Sequence, residues 1–200
     1  PDVLANYDII GFDPRGVGRS TGIECFADDA AKDAHLYGTF DAAYGTEEWL
    51  AELTDRSLDW IAGCQERTGD LLGNLDAGSV ARDMDVIRAI LGDTELHYLG
   101  YSYGTYLGTV YAELFPEKVG RMVLDGAVDP AVGDLESLVI QMAGFDSALR
   151  AYLEWCLPQS SCPFSGSIDG ALSMIRQMLD TVDAREFVAS DGRELDSATV

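Results

Sequence analysis

Apolar positions along this chain recur with two different periods, and the switches between them mark out its elements. Tyr7 to Phe12 is a β-branched and aromatic run, uncharged after Asp8 and stopped by Asp13-Pro14-Arg15-Gly16, which predicts a buried strand. Gly16 to Gly22 carries three glycines in seven residues and predicts a loop. Residues 46 to 68 predict a helix, with Trp49, Leu50, Leu53, Leu58, Trp60 and Ile61 leaving the charged residues to the other face. A second helix is expected to follow Ser79 as its N-cap, with Val80, Met84, Ile87 and Leu91 spaced i, i+4, i+7 and i+11 and Gly92 as its stop. Residues 95 to 101 predict a short strand that runs into Ser102, and 104 to 115 a helix ended by Pro116. Val119 to Leu124 predicts another strand.

This order of strand, helix, strand, helix, strand predicts an α/β fold with a mostly parallel sheet covered by helices on both faces. Past Asp125-Gly126 the pattern changes. Residues 134 to 155 and 168 to 182 predict helices with no strand between them, and so a separate helical layer. The expected organisation is a core over residues 1 to 130, with a helical insertion at about 23 to 75, followed by a helical segment over 131 to 200.

Composition narrows the function classes. Thirteen Lys and Arg against 35 Asp and Glu give a formal charge of −22, spread along the chain. Such a surface repels phosphate backbones and anionic lipid, so nucleic acid is not an expected partner. No window reaches the roughly 18 uncharged apolar residues of a membrane span. The four cysteines, Cys25, Cys64, Cys156 and Cys162, form no CxxC and have no histidine at ligand spacing, so neither a metal nor a cofactor is expected. Four cysteines allow three pairings: Cys156 and Cys162 flank the turn-forming Leu-Pro-Gln-Ser-Ser, so a bridge between them is expected, with Cys25 to Cys64 by elimination, and four reduced core thiols are the alternative. Those bonds imply an oxidising compartment. The chain opens directly into a strand-like run with no charged leader and ends in Leu195-Asp196-Ser197-Ala198-Thr199-Val200, which reads as a fragment cut at both ends.

One motif carries chemistry. Gly100-Tyr101-Ser102-Tyr103-Gly104 fits G-x-S-x-G between a predicted strand and a predicted helix, where a nucleophile elbow lies. A serine on so sharp a turn adopts strained backbone angles and projects its hydroxyl clear of the sheet. Small residues two before and two after it let the neighbouring backbone close in. The helix that follows aims its positive end at the site, and the Tyr103 amide is placed to stabilise an oxyanion. Serine also needs a base. The only histidines, His35 and His97, both precede Ser102. His97 lies inside the strand and reads as a sheet histidine, and His35 lies in the insertion, so the base is missing from these residues. Asp125 ends the last strand and reads as the organiser of its turn, while Asp13 and Arg15 read as a buried pair that organises the first loop.

Four segments together resemble a known family: residues 11–20 (GFDPRGVGRS), 81–88 (ARDMDVIR), 100–108 (GYSYGTYLG) and 120–130 (GRMVLDGAVDP). They are similar to the α/β-hydrolases, and among these to the secreted bacterial tripeptidyl aminopeptidases, relatives of the prolyl iminopeptidases. The resemblance implies a secreted or cell-envelope serine hydrolase that takes short peptides from free N-termini, with Ser102 as nucleophile and the Tyr103 amide as one oxyanion donor. It also implies that the acid, the histidine and the second oxyanion donor lie outside this segment. The residues after about 131 would begin a helical cap, whose Asp134, Glu136, Asp146 and Glu154 include no single favoured ligand for a substrate ammonium group. Two rival readings remain at this point: an esterase or lipase with the same machinery, and a hydrolase-like binding domain without catalysis.

Overall fold

The structure is a computed structural model, described here for residues 4–185, 187–197 and 199. In chain order it comprises α1 (Asp29–Tyr37), α2 (Glu47–Thr68), a 3-10 turn (Gly69–Asn74), α3 (Ala77–Leu91), β1 (Leu96–Tyr101), α4 (Tyr103–Leu114), a second 3-10 turn (Pro116–Lys118), β2 (Val119–Asp125), α5 (Asp134–Cys156), α6 (Ile168–Asp183), β3 (Phe187–Val188) and β4 (Glu194–Leu195). The chain divides into two compact units, one of residues 1–26 and 60–131 and the other of 27–59 and 132–200.

In the first unit β1 and β2 pair in parallel, with Tyr98 opposite Met122 and Tyr101 opposite Asp125. A parallel pair needs a crossover, and α4 supplies it. Val80, Ala81 and Met84 of α3 pack with Leu107 and Tyr111 of α4 to form the core, and Leu96, Tyr98, Val119 and Met122 close it from the sheet. Side chains on the opposite face of the strands, Leu99, Tyr101 and Val123, are exposed. Coverage is thus seen on one face only, where continuous apolar strands predict two.

Tyr7 to Phe12 is not a strand. Among the described residues it has no ladder partner, and Ile9 and Ile10 are 66% and 53% exposed. An apolar β-branched run fixes a preference for extended backbone, but a strand exists only where a neighbour takes its hydrogen bonds. Tyr7 instead meets the sheet with its side chain, its ring edge-on to His97 at 5.9 Å between centroids and its hydroxyl bonded to the Arg121 guanidinium.

The N-cap of α3 is Asp76 and not Ser79. The Asp76 carboxylate accepts from the Ser79 amide at 2.9 Å and from the Ser79 hydroxyl at 2.7 Å. Both residue types suit a cap, and the carboxylate three residues earlier gains two bonds at once. These bonds hold the Asp76 carboxyl below the usual carboxylate range. Gly92 ends α3 at φ +82°, the left-handed stop that its position predicts. Arg15 does not pair with Asp13. Its guanidinium donates two bonds of 2.7 Å to Asp83 on α3 and a third, of 2.9 Å, to the Asn74 carbonyl. Asp13 accepts from the Arg19 amide at 2.8 Å and so braces the loop from within.

In the second unit Leu153, Cys156 and Ala171 are buried between α5 and α6, and β3 and β4 form a short antiparallel ribbon that the sequence pattern did not announce. The cysteines pair as expected, Cys25 with Cys64 and Cys156 with Cys162. Among the described residues no helix is long and apolar enough to cross a membrane.

A polar tie holds α3 to α4 beneath the core. The fully buried Tyr111 donates its hydroxyl proton to Asp85 at 3.0 Å, and the Arg88 guanidinium donates to the same oxygen at 2.7 Å. The Arg88 bond, followed by that of Tyr111, holds the Asp85 carboxyl below its ordinary pKa. A carboxyl depressed by folding stabilises fully above its unfolded pKa of about 3.9, and the contribution is lost as pH falls through the lower folded value. Tyr111→Phe is therefore expected to cost about 1–2 kcal/mol in urea unfolding at pH 7. The difference from wild type should narrow as the pH is taken below about 3.9.

Candidate active site

Ser102 sits between β1 and α4, and its backbone stands at φ 49°, ψ −117°. Among the described residues no other non-glycine residue has a positive φ. For a residue with a Cβ this region is strained and persists only where the surroundings impose it. Both backbone groups of Ser102 are tied. Its N–H donates to the Asp125 carbonyl at 3.0 Å, and its carbonyl accepts from the Thr105 amide at 2.9 Å and from the Thr105 hydroxyl at 2.6 Å. The side chain is exposed and makes no capping bond to the helix it precedes, so its hydroxyl is not spent on the nearest orphan amides. Tyr103 opens α4, at the end where helix amides carry partial positive charge.

The glycines of the motif have specific steric reasons. A Cβ on Gly100 would lie 2.5 Å from the Gly104 carbonyl oxygen and 2.6 Å from the Tyr98 ring. One on Gly108 would lie 2.8 Å from Leu124 and 2.9 Å from that same ring. Tyr98 therefore occupies the space that Gly100 and Gly108 vacate, and its hydroxyl donates to the Gly104 carbonyl at 2.8 Å. Burial pushes the Tyr98 phenol above its ordinary pKa, which keeps it a donor. The sequence places Tyr98 in the strand and makes Thr105, with Gly104 and Gly108, a small residue that keeps the start of the helix slim against the sheet, and it announces neither hydroxyl bond. The signal for Tyr98 was a bulky residue two before the first glycine on the same strand face.

The remaining candidates are dispersed. Asp125 meets Ser102 through its backbone carbonyl, at the end of the strand paired with β1. The imidazole Nδ1 of His97 accepts from the Arg121 amide at 2.9 Å, where the register slips between Leu96 and Tyr98. That bond satisfies an amide the irregular ladder leaves over, a structural task. His35 lies in the last turn of α1, in the second unit. Asp134 and Glu136 lie in the first turn of α5, and Asp146 pairs with Arg150 at 2.8 Å. A cavity of about 380 Å³ in the second unit is lined by the 39–44 segment, Trp49, the end of α6 and the β3–β4 ribbon, and holds none of the predicted site residues. The described residues hold no cluster of metal-ligating side chains.

The steric argument has a direct test. Gly100→Ala is expected to lose about 1–3 kcal/mol in urea unfolding, because its new methyl meets backbone that cannot yield. Gly144→Ala, in the interior of α5 with open space around its Cβ position, should instead gain about 0.5–1 kcal/mol.

Known proteins share this architecture. Residues 1–174 match the model of a family described as the alpha/beta hydrolase fold. The serine protease Hip1 of Mycobacterium tuberculosis is 37% identical over 180 residues, covering 89% of this chain and 34% of that protein. A tripeptidyl aminopeptidase of Streptomyces lividans is 39% identical over 151 residues, 74% of this chain and 28% of its own length. Carboxylesterase B of Mycobacterium tuberculosis is 39% identical over 198 residues, 98% of this chain and 38% of its own length. The chain spans about a third of the length of these curated relatives. A parallel strand pair bridged by α4, a strained serine at the turn between them and a family match over most of its length lead to one conclusion: this chain belongs to the alpha/beta hydrolase fold family.

Proposed function

We propose that this chain is part of a serine hydrolase that cleaves peptide bonds, with Ser102 as nucleophile and the Tyr103 amide as one oxyanion donor. The observation that carries the reading is the left-handed backbone of Ser102 at an exposed strand-to-helix turn, with the hydroxyl outside the capping bonds. Strain of about 1–3 kcal/mol at such a residue needs a reason, and aiming a nucleophile is the reason best matched to this turn. The serine protease and tripeptidyl aminopeptidase among its relatives support a peptide substrate, and the latter supports removal of short peptides from free N-termini. Residues 1–130 would be part of the catalytic core and 131–200 the start of a cap, a division supported by the separate compactness of 132–200 with 27–59. The two disulfides support an exported or cell-envelope location.

In the proposed reaction the Ser102 Oγ attacks the scissile carbonyl carbon as its proton passes to a general base. The oxyanion that forms is met by the Tyr103 N–H. The C–N bond then breaks, the base returns the proton to the leaving amine, and water hydrolyses the acyl-enzyme by the same route. No histidine follows position 102 in these residues, so the base is assigned to sequence beyond them.

The carboxylesterase at 39% identity favours a second reading, in which the same acyl-enzyme forms from an ester. The two differ in measurable rates. A peptidase turns over tripeptidyl amides with a free N-terminus and loses that activity when the amine is acetylated, whereas an esterase prefers short acyl esters and ignores the amine. In the full-length protein, a fluorophosphonate is expected to label Ser102, and Ser102→Ala should abolish labelling and lower hydrolysis at least about 10³-fold. Equal labelling of the two proteins would contradict the assignment by placing the reactive nucleophile elsewhere, and no labelling of either would favour a domain that binds without catalysis.

A further inference from the structure

Thr105 is the most deeply placed polar side chain of the elbow region, with no solvent exposure at all. Its hydroxyl makes two bonds in different directions. The proton is donated to the Ser102 carbonyl at 2.6 Å, and the oxygen accepts from the Val128 amide at 2.9 Å. Val128 belongs to the segment that leaves the end of β2, and the same segment takes the Ser102 amide proton on the Asp125 carbonyl at 3.0 Å. Ser102 is thus clamped from both sides of its own peptide units. The direct bond fixes its amide, and Thr105 fixes its carbonyl while holding the other end of the same loop. Gly126, at φ +70°, turns that loop between the two attachments, and a Cβ there would approach the Ser102 nitrogen to 3.8 Å.

A helix-forming residue has no need for either bond. The backbone amide of Thr105 already reaches the Ser102 carbonyl at 2.9 Å, and threonine is a mediocre helix former. The third position of the helix requires a small side chain against the sheet, which alanine would supply. What only a hydroxyl supplies is the bridge. We infer that Thr105 is a positioning residue for the Ser102 nucleophile, its hydroxyl linking the Ser102 carbonyl to the Val128 amide and so holding the elbow against the loop that follows β2. This rests on the assignment of Ser102 as nucleophile and adds the device that keeps its Oγ in one place. Misplacement of a reacting group by about 1 Å costs on the order of 10²-fold in rate.

The experiment measures phosphonylation of the full-length protein by a fluorophosphonate. Ser102 Oγ bonds to phosphorus, the P–F bond breaks, fluoride leaves and the hydroxyl proton passes to the general base. Two pairs isolate the hydroxyl: wild type against Thr105→Val, and Thr105→Ser against Thr105→Ala. Rates are taken per active site by titration to completion, so that unfolded molecules do not count. The hydroxyl-bearing member of each pair should react about 10- to 100-fold faster. Steady-state kcat, also expressed per titrated active site so that lost folded enzyme is not counted, should fall by a similar factor with KM nearly unchanged. A rate ratio near one in either pair overturns the inference while leaving the nucleophile in place. Absence of label at Ser102 in the wild type defeats the nucleophile assignment and this inference with it.

Discussion

The left-handed backbone at Ser102 is the constraint on which the rest of the first unit depends. A residue with a side chain stays there only if its neighbours leave no alternative. Three kinds of contact do so. Gly100 allows the Gly104 carbonyl within a distance that any Cβ would forbid. The phenol of Tyr98 then binds that carbonyl from the space left empty beside the glycines. The last residue of β2, Asp125, takes the Ser102 amide, while the Thr105 hydroxyl joins the loop after β2 to the Ser102 carbonyl. Each contact is ordinary, and together they leave the serine one geometry.

Those contacts need a rigid base, and α3 provides it. Its apolar stripe of Val80, Ala81 and Met84 meets Leu107 and Tyr111 on α4, so the helix that starts at the elbow is packed along its buried face. Asp85 ties the same two helices through Tyr111 and Arg88. On the outer side, Asp83 takes the two-bond grip of Arg15 and draws the first loop onto α3. The consecutive residues Asp83, Met84 and Asp85 thus serve the loop, the core and the tie to α4 in turn. This is why its charged residues do not simply form a solvated face.

Much of this was legible in the order of residues. The strand-to-helix context of Gly100 to Gly104, the helix stop at Gly92 and the parallel pairing of β1 with β2 all follow from local pattern and crossover length. Two of the misses turned on a partner distant in sequence, and two on local details that residue pattern does not resolve. Tyr7 to Phe12 has strand composition without a strand neighbour. Arg15 had an acid two residues away and chose one 68 residues away, because a helix presents Asp83 in the plane a guanidinium can grip. The N-cap of α3 went to Asp76 over Ser79 because a carboxylate can accept both bonds that Ser79 donates. The β3–β4 ribbon pairs only two residues on each strand, too few for an alternating pattern to register.

The most direct test of the account is the structure of a phosphonate adduct of the full-length protein. The account predicts phosphorus bonded to the Oγ of Ser102, the serine still at positive φ, and the phosphonyl oxygen about 2.7–3.1 Å from the Tyr103 nitrogen. An adduct on another residue, or a phosphonyl oxygen turned away from the start of α4, would contradict it.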